Sequence, residues 1–299
     1  MEDEGRVELY CSKVPPLYPV RVSLEMRQEL IVRSLRVSSY TSIAKESGIP
    51  VMKVIKVMST PSAPMPFALL VKLAELARID LWEVLCSIES IGFRRTLKPN
   101  FDLEAIASLI GYSASSSSKF KVRERSVSLI LRYDDDYQLS HIMELLRAVL
   151  NANPGDVVVN REERKIYLLP GLGVLLLLLG APTRREFYDG WEVPGWLDRY
   201  PLEFLKAFQS GRLFRSVPSR GCARFYFKAF NLEGMLRFVE RIRDLYAKLG
   251  VRLEERPRLL SDRIIYLEIC RRAILEALLH SVGFTSLKKM REISLLVER

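Results

Sequence analysis

Residues 109–117 (LIGYSASSS) and 205–213 (LKAFQSGRL) stand 96 residues apart and place small side chains four apart at matching positions: Gly111 and Ser115, then Ala207 and Gly211. Residues four apart share one face of a helix, and small ones there let another helix backbone come close. The pattern occurs twice. Two such helices are therefore predicted to pack against each other and hold together two halves that are distant in sequence.

At 299 residues with 48% apolar side chains, the chain has material for two or three domains with real cores and is not disordered in composition. Its start, MEDEGRVELY, is acidic and lacks an apolar stretch, so no secretory signal is predicted. The longest apolar run, residues 174–179 with Leu172 before it, is too short to cross a bilayer and is predicted as a buried helix. The expected setting is the cytoplasm, with no membrane partner. Cys11, Cys86, Cys222 and Cys270 form neither a CxxC pair nor a Cys/His cluster, which predicts structural thiols rather than a metal site. His141 and His280 are the two histidines, and neither lies near a nucleophile in sequence; Ser/His/Asp and Cys/His catalysis lose support, and no cofactor is implied.

The net charge of +10 is uneven: about +3 over residues 1–100, about −1 over 101–182 and about +8 over 183–299. A basic chain of this kind suits a polyanion, and nucleic acid is the commonest one. The scarcity of Asn, Gln and His beside abundant Arg and Glu points to a thermophile.

Near the front, residues 24–35 read as a helix that Ser23 can cap. The run YTSIAKESGIPVMKVIKV, residues 40–57, then supplies what a helix-turn-helix needs in order: Ala44 where two helices touch, Gly48 for a positive-φ turn, and Ile49, Val54 and Val57 to seat a second helix, with Pro50 in its first turn. Residues 67–77 and 81–88 add two more apolar helices. This front resembles the phage-repressor (Cro/C1-like) DNA-binding domains. The resemblance implies that the second helix would enter the major groove and offer Met52, Lys53 and Lys56, with Ser42 and Lys45 near the DNA backbone.

After a linker at residues 94–100 a pattern of helix, two strands, helix, two strands, helix is predicted twice. The first copy has helices around residue 109, at 139–150 and at 172–179, with strands within 156–168. The second has helices around residue 205, at 232–249 and at 273–282, strands at 213–217, 222–230, 251–257 and 263–269, and a last helix at 286–297. In the first copy Lys119, Lys121, Arg123 and Arg125 alternate with Phe120, Val122 and Glu124; in the second, Arg224, Tyr226 and Lys228 alternate with Phe225, Phe227 and Ala229. Strands of this kind would gather cations on one face, which suits phosphate contacts and some base readout.

The phrases LLLLLGAP, WEVPGWL, NLEGMLRFVERIRDLYAKLGV and LLHSVGFTSLKKMREISLLVE, in this order, resemble the two-repeat LAGLIDADG homing endonucleases over roughly residues 100–299. The resemblance implies an α+β fold: an all-α helix-turn-helix domain with an N-terminal extension over residues 1–98, a first repeat over 99–182 and a second over 183–299. The two repeats would form a pseudo-twofold αββαββα unit whose two saddle-shaped antiparallel sheets straddle DNA. It also implies an acid after the second small residue of each motif helix, where the pair holds a divalent metal. Here those positions are Ser116 and Arg212. Serine alone is a poor metal anchor and a guanidinium repels a cation while suiting phosphate. No metal and no cleavage are expected, and Arg212 is expected to meet a phosphate.

The leading expectation is a sequence-specific double-stranded-DNA-binding protein, a transcription regulator on a catalytically inactive scaffold. An endonuclease with an unusual site, an RNA-binding maturase-like protein and a protein-binding adaptor stay open. The pseudo-twofold favours a monomer, since one chain already supplies contacts on two sides.

Overall fold

A computed structural model of the chain describes residues 7–92, 98–115, 119–123, 126–150, 157–215 and 221–298. In the front unit, β1 (Pro19–Val22) leads into α1 (Leu24–Val37), α2 (Tyr40–Ser47), α3 (Val51–Ser59), β2 (Met65–Pro66), α4 (Phe67–Ala77), α5 (Leu81–Cys86) and β3 (Ile88–Ile91). Ser23 caps α1 by accepting from the Met26 N–H at 3.2 Å. Gly48, at φ +66°, ends α2 and turns the chain into α3; Ile49, Val54 and Val57 are buried beneath that turn. Arg27 of α1, itself buried, fastens the end of α3 by donating to the carbonyls of Val57, Thr60 (2.8 Å) and Ala63 (2.7 Å).

The front unit is not all-α. β1, β2 and β3 form an antiparallel sheet in the order β2-β1-β3. The expected helix over residues 81–88 stops at Cys86: residues 88–91 pair instead with β1, Ile91 opposite Val20 and Ile88 opposite Val22, and a register shift between these pairs lets both isoleucines, three apart, be buried.

The rest of the chain repeats one pattern. α6 (Leu103–Ala114), β4 (Lys119–Arg123), β5 (Ser126–Arg132), α7 (Asp136–Leu150), β6 (Val158–Asn160), β7 (Lys165–Leu168) and α8 (Pro170–Leu178) form the first copy. α9 (Arg184–Gly190) follows. α10 (Pro201–Arg212), β8 (Leu213–Arg215), β9 (Ala223–Lys228), α11 (Leu232–Lys248), β10 (Arg258–Ser261), β11 (Ile264–Ile269) and α12 (Arg272–Ala277) form the second, and α13 (Leu287–Val297) closes the described chain. Both sheets are antiparallel with equivalent strand orders, β4-β5-β7-β6 and β8-β9-β11-β10. α8 is buried all round, as its leucine run requires, and among the described residues no helix is long and apolar enough to cross a membrane.

Three readings of the second copy change. Residues 251–257 are not a strand: Val251 and Leu253 are buried, and Arg243 Nε donates to the Leu253 carbonyl at 2.7 Å, so this stretch is an anchored connector ending at Pro257. The fourth strand is β10, exposed along its whole length and therefore without an amphipathic signal. The helix over 273–282 is α12 continued by a π-helical turn, Leu278–Val282.

Cys222 and Cys270 are joined in a disulfide rather than being separate thiols, while Cys11 and Cys86 are free. Sequence distance concealed the pairing. Ala223 and Ile269 are register partners in β9 and β11, so the residues just outside them meet across the sheet end.

The two motif helices, α6 and α10, pack against each other at the junction of the copies. A Cβ at Gly111 would lie 2.3 Å from the Phe204 carbonyl oxygen and 3.0 Å from the Ala207 Cβ; one at Gly211 would lie 2.4 Å from the Ser115 Cβ. Ser108 Oγ adds a bond to the Glu203 carbonyl at 3.3 Å. Gly111, Ser115, Ala207 and Gly211 thus form the close contact that their spacing predicts.

Candidate nucleic-acid interface

At the foot of this helix pair, Arg212 turns inward. It is 6% exposed, its Nε and Nη2 donate to the Ala114 carbonyl at 3.1 and 3.0 Å, and its Nη1 reaches the Tyr226 carbonyl at 3.4 Å. The guanidinium stacks over the Phe187 ring at 4.2 Å. Loss of solvent pushes its pKa down to about 9, so it stays charged at neutral pH. The expectation that Arg212 meets a phosphate is therefore corrected. The planar fork matches the carbonyl left unpaired at the end of α6, where the helix dipole also favours a cation. Ser116 lies outside the described residues. Ser115 donates its hydroxyl to the Tyr112 carbonyl at 2.7 Å. A hydroxyl and a fixed guanidinium do not fit a divalent cation, which needs several unencumbered oxygens around it.

The outward face of the second sheet is built by strict alternation. Ala223, Phe225 and Phe227 are buried, while Arg224, Tyr226 and Lys228 face out, in register with Glu268, Tyr266 and Ile264. Arg224 is fastened there: Nε donates to Glu268 at 2.7 Å, Nη1 reaches the Tyr226 hydroxyl at 3.3 Å, and the guanidinium lies 5.0 Å from the Tyr266 ring centre. Its pKa is raised by those bonds to Tyr226 and Glu268. Lys228 is exposed, with Tyr188 and Phe230 near its ammonium at 5.9 and 5.7 Å. Arg258 on β10 adds a cation 3.7 Å from Glu268.

In the first sheet Lys119, Lys121 and Arg123 of β4 pair in register with Ile130, Ser128 and Ser126, and only the backbone of these three is described. Arg125 lies outside the described residues. The same sheet carries Arg132 in register with Lys165, and Tyr167 in register with Ile130. Arg132, Lys165, Tyr167, Tyr266 and Arg258 were missed by sequence reading. Period-2 alternation around Leu131, Ile166, Ile265 and Leu267 was the available signal for the first four; Arg258 lies on β10, which carries none.

In the front unit, Met52, Lys53 and Lys56 share the exposed side of α3 with Ile55. Lys45 is exposed on α2, and Ser42 donates to Glu46 at 2.7 Å, which in turn pairs with Lys72 at 2.6 Å. α3 and the two large sheets thus carry separate sets of sequence-predicted residues.

No family model and no curated protein matches this chain. Solved structures to which it is similar include LAGLIDADG proteins. One is a mesophilic variant from the homing endonuclease I-DmoI, at 12% identity and a TM-score of 0.40, over 60% of this chain and 94% of that one. Another is the homing endonuclease I-WcaI bound to its DNA recognition sequence, at 13% identity and a TM-score of 0.40, over 63% and 84%. A third is the N-terminal LAGLIDADG domain of DUF199/WhiA, at 12% identity and a TM-score of 0.36, over 60% and 82%.

Proposed function

We propose that this chain is a sequence-specific double-stranded-DNA-binding protein, a transcription regulator built on a LAGLIDADG-like scaffold that does not cleave. The observation that carries the reading is the pair of sheets with equivalent strand order, each with cations and tyrosines on its outward face: Arg132, Lys165 and Tyr167 on one, Arg224, Tyr226, Lys228 and Tyr266 on the other. Such faces suit a duplex, cations meeting phosphates and tyrosines meeting sugars or base edges. The two sheets act as a saddle over one site, and one chain suffices as a monomer.

The front unit serves as a helix-turn-helix. α3 enters the major groove with Met52, Lys53 and Lys56, and α2 sets Lys45 near the backbone. Lys53 and Lys56 are few charges for an independent reader, so the front and the saddle read one long site together. The absence of cleavage rests on Arg212, whose cationic head occupies the foot of the motif helices where an acid would have to hold a metal.

Selection of bound sequences from a random duplex library tests this reading. A long enriched site supports joint use of α3 and the saddle. A short one that survives removal of the sheet cations, or an equal preference for structured RNA, defeats it. The salt dependence of binding is expected to be steep.

A further inference from the structure

Beside the foot of the motif helices the two copies differ. In the second, Tyr188 and Phe230 meet edge to face at 4.9 Å and Phe187 stacks on Arg212, leaving a space of about 30 Å³ beside them. In the first, Asp134 stands two residues after Arg132 as Phe230 stands two after Lys228, and the aromatic residues lining the place are Tyr112 and Tyr133, with no cluster like that of Phe187, Tyr188 and Phe230 among them. A cavity of about 310 Å³ opens there instead, at the small end of the range for ligand pockets.

Its lining is largely polar and comes from six elements or their ends. Arg132 ends β5, Arg164 sits at φ +51° in the turn before β7, and Lys289 comes from the first turn of α13. Lys289 is 6% exposed, a buried ammonium held to Glu292 at 3.3 Å. Arg164 spends one N–H on the Asp134 carbonyl at 2.6 Å, which fixes its head at the rim and leaves other donors of the fork. Two carboxylates also line the cavity. Glu163 is bound by Lys165 at 2.7 Å, which holds its carboxyl below the usual range and offsets its charge, while Asp134 is the second carboxylate that opposes an anion. Gln138 donates toward Thr285 at 3.4 Å, and the enclosed Tyr112 hydroxyl between them makes no hydrogen bond of normal geometry.

We propose that this cavity binds the phosphate group of a phosphate ester, its non-bridging oxygens between Arg132, Arg164 and Lys289 and its substituent in the remaining volume. Arg164 holds the Asp134 carbonyl and Lys289 pairs with Glu292, yet the second copy fills the related place with Phe187, Tyr188 and Phe230, so packing alone does not call for three cations from β5, a tight turn and α13. Guanidinium forks recognise phosphate oxygens in pairs. The phosphate is the monoester of a free small molecule or the diester of a DNA backbone, and in both the non-bridging oxygens are recognised by the same donors.

Calorimetric titration of the full chain at fixed ionic strength, with adenosine monophosphate and with inorganic phosphate as probes, tests the site without DNA. One saturable site is expected, tighter for the nucleotide than for bare phosphate. Arg132→Ala and Arg164→Ala, both exposed positions, should each weaken it about tenfold, while Arg237→Ala, an exposed arginine on α11, should leave it unchanged. Displacement of the nucleotide by duplex DNA would assign the phosphate to the DNA backbone, and simultaneous binding would assign it to a free ligand. Either supports the site. The absence of saturable binding, or equal binding by the Arg132→Ala/Arg164→Ala double variant, overturns it. Nucleotide binding without any DNA affinity would defeat the proposed function and leave this site standing.

Discussion

Arg212 binds the Ala114 carbonyl through two N–H groups, at 3.1 and 3.0 Å, and so joins the ends of the two motif helices across the junction of the copies. Arg212→Met keeps much of the volume but strands that carbonyl and loses the stacking on Phe187. It is expected to cost about 2 to 3 kcal/mol in urea unfolding. Arg212→Lys should recover only part, because a point charge cannot place two donors on one oxygen. Wild-type stability of the Met variant would deny Arg212 its fastening role.

Gly111→Ala forces a methyl against the Phe204 carbonyl, with no side chain free to yield. The expected loss is about 2 kcal/mol or more, read as a lower urea midpoint at unchanged slope. An unchanged midpoint would show that α6 and α10 can separate without penalty.

Those four small residues mark how much was legible. Spacing alone reveals a helix contact, because period and side-chain size are local properties of the sequence, and Gly48 marks its turn for the same reason. Arg212 was misread because a residue type announces what it can bind but not where its head points. β10 carries no alternation, the three-stranded sheet at the front uses strands of two to four residues, and Cys222 finds Cys270 only once β9 and β11 are in register. The α9 helix was missed although Thr183 and Glu186 form a capping box, a signal present in the sequence.

Reduction of the Cys222–Cys270 disulfide releases a loop of 48 residues at the end of the second sheet. The chain-entropy cost is about 4 kcal/mol. Cys270 is exposed, so a mild reductant should lower the thermal midpoint, and Cys222→Ser/Cys270→Ser should reproduce the loss in the absence of reductant. Equal midpoints with and without reductant would contradict this.

Asp135 fastens the start of α13 to the start of α7, accepting from the Ser286 hydroxyl at 2.7 Å and the Lys288 N–H at 2.9 Å. Partial burial raises its pKa, but the N–H groups of Lys288 and Gln138 and the Ser286 hydroxyl outweigh that and hold it below the usual carboxylate range. The native carboxyl thus binds its proton less readily than the unfolded one, whose pKa is about 3.9. Its contribution is complete above that value and is lost as pH falls through the lower native one. Asp135→Asn should lower the melting temperature at pH 7, and the gap to wild type should narrow toward pH 2. A gap constant across pH would show that the charge is irrelevant.

Binding without cutting is tested most directly by incubating the full chain with its selected duplex and Mg²⁺ or Mn²⁺, then resolving the DNA on native and denaturing gels. The expected result is a shifted duplex whose two strands remain intact. Discrete cleavage products that disappear on changing Arg212, or no shift at all, would contradict it.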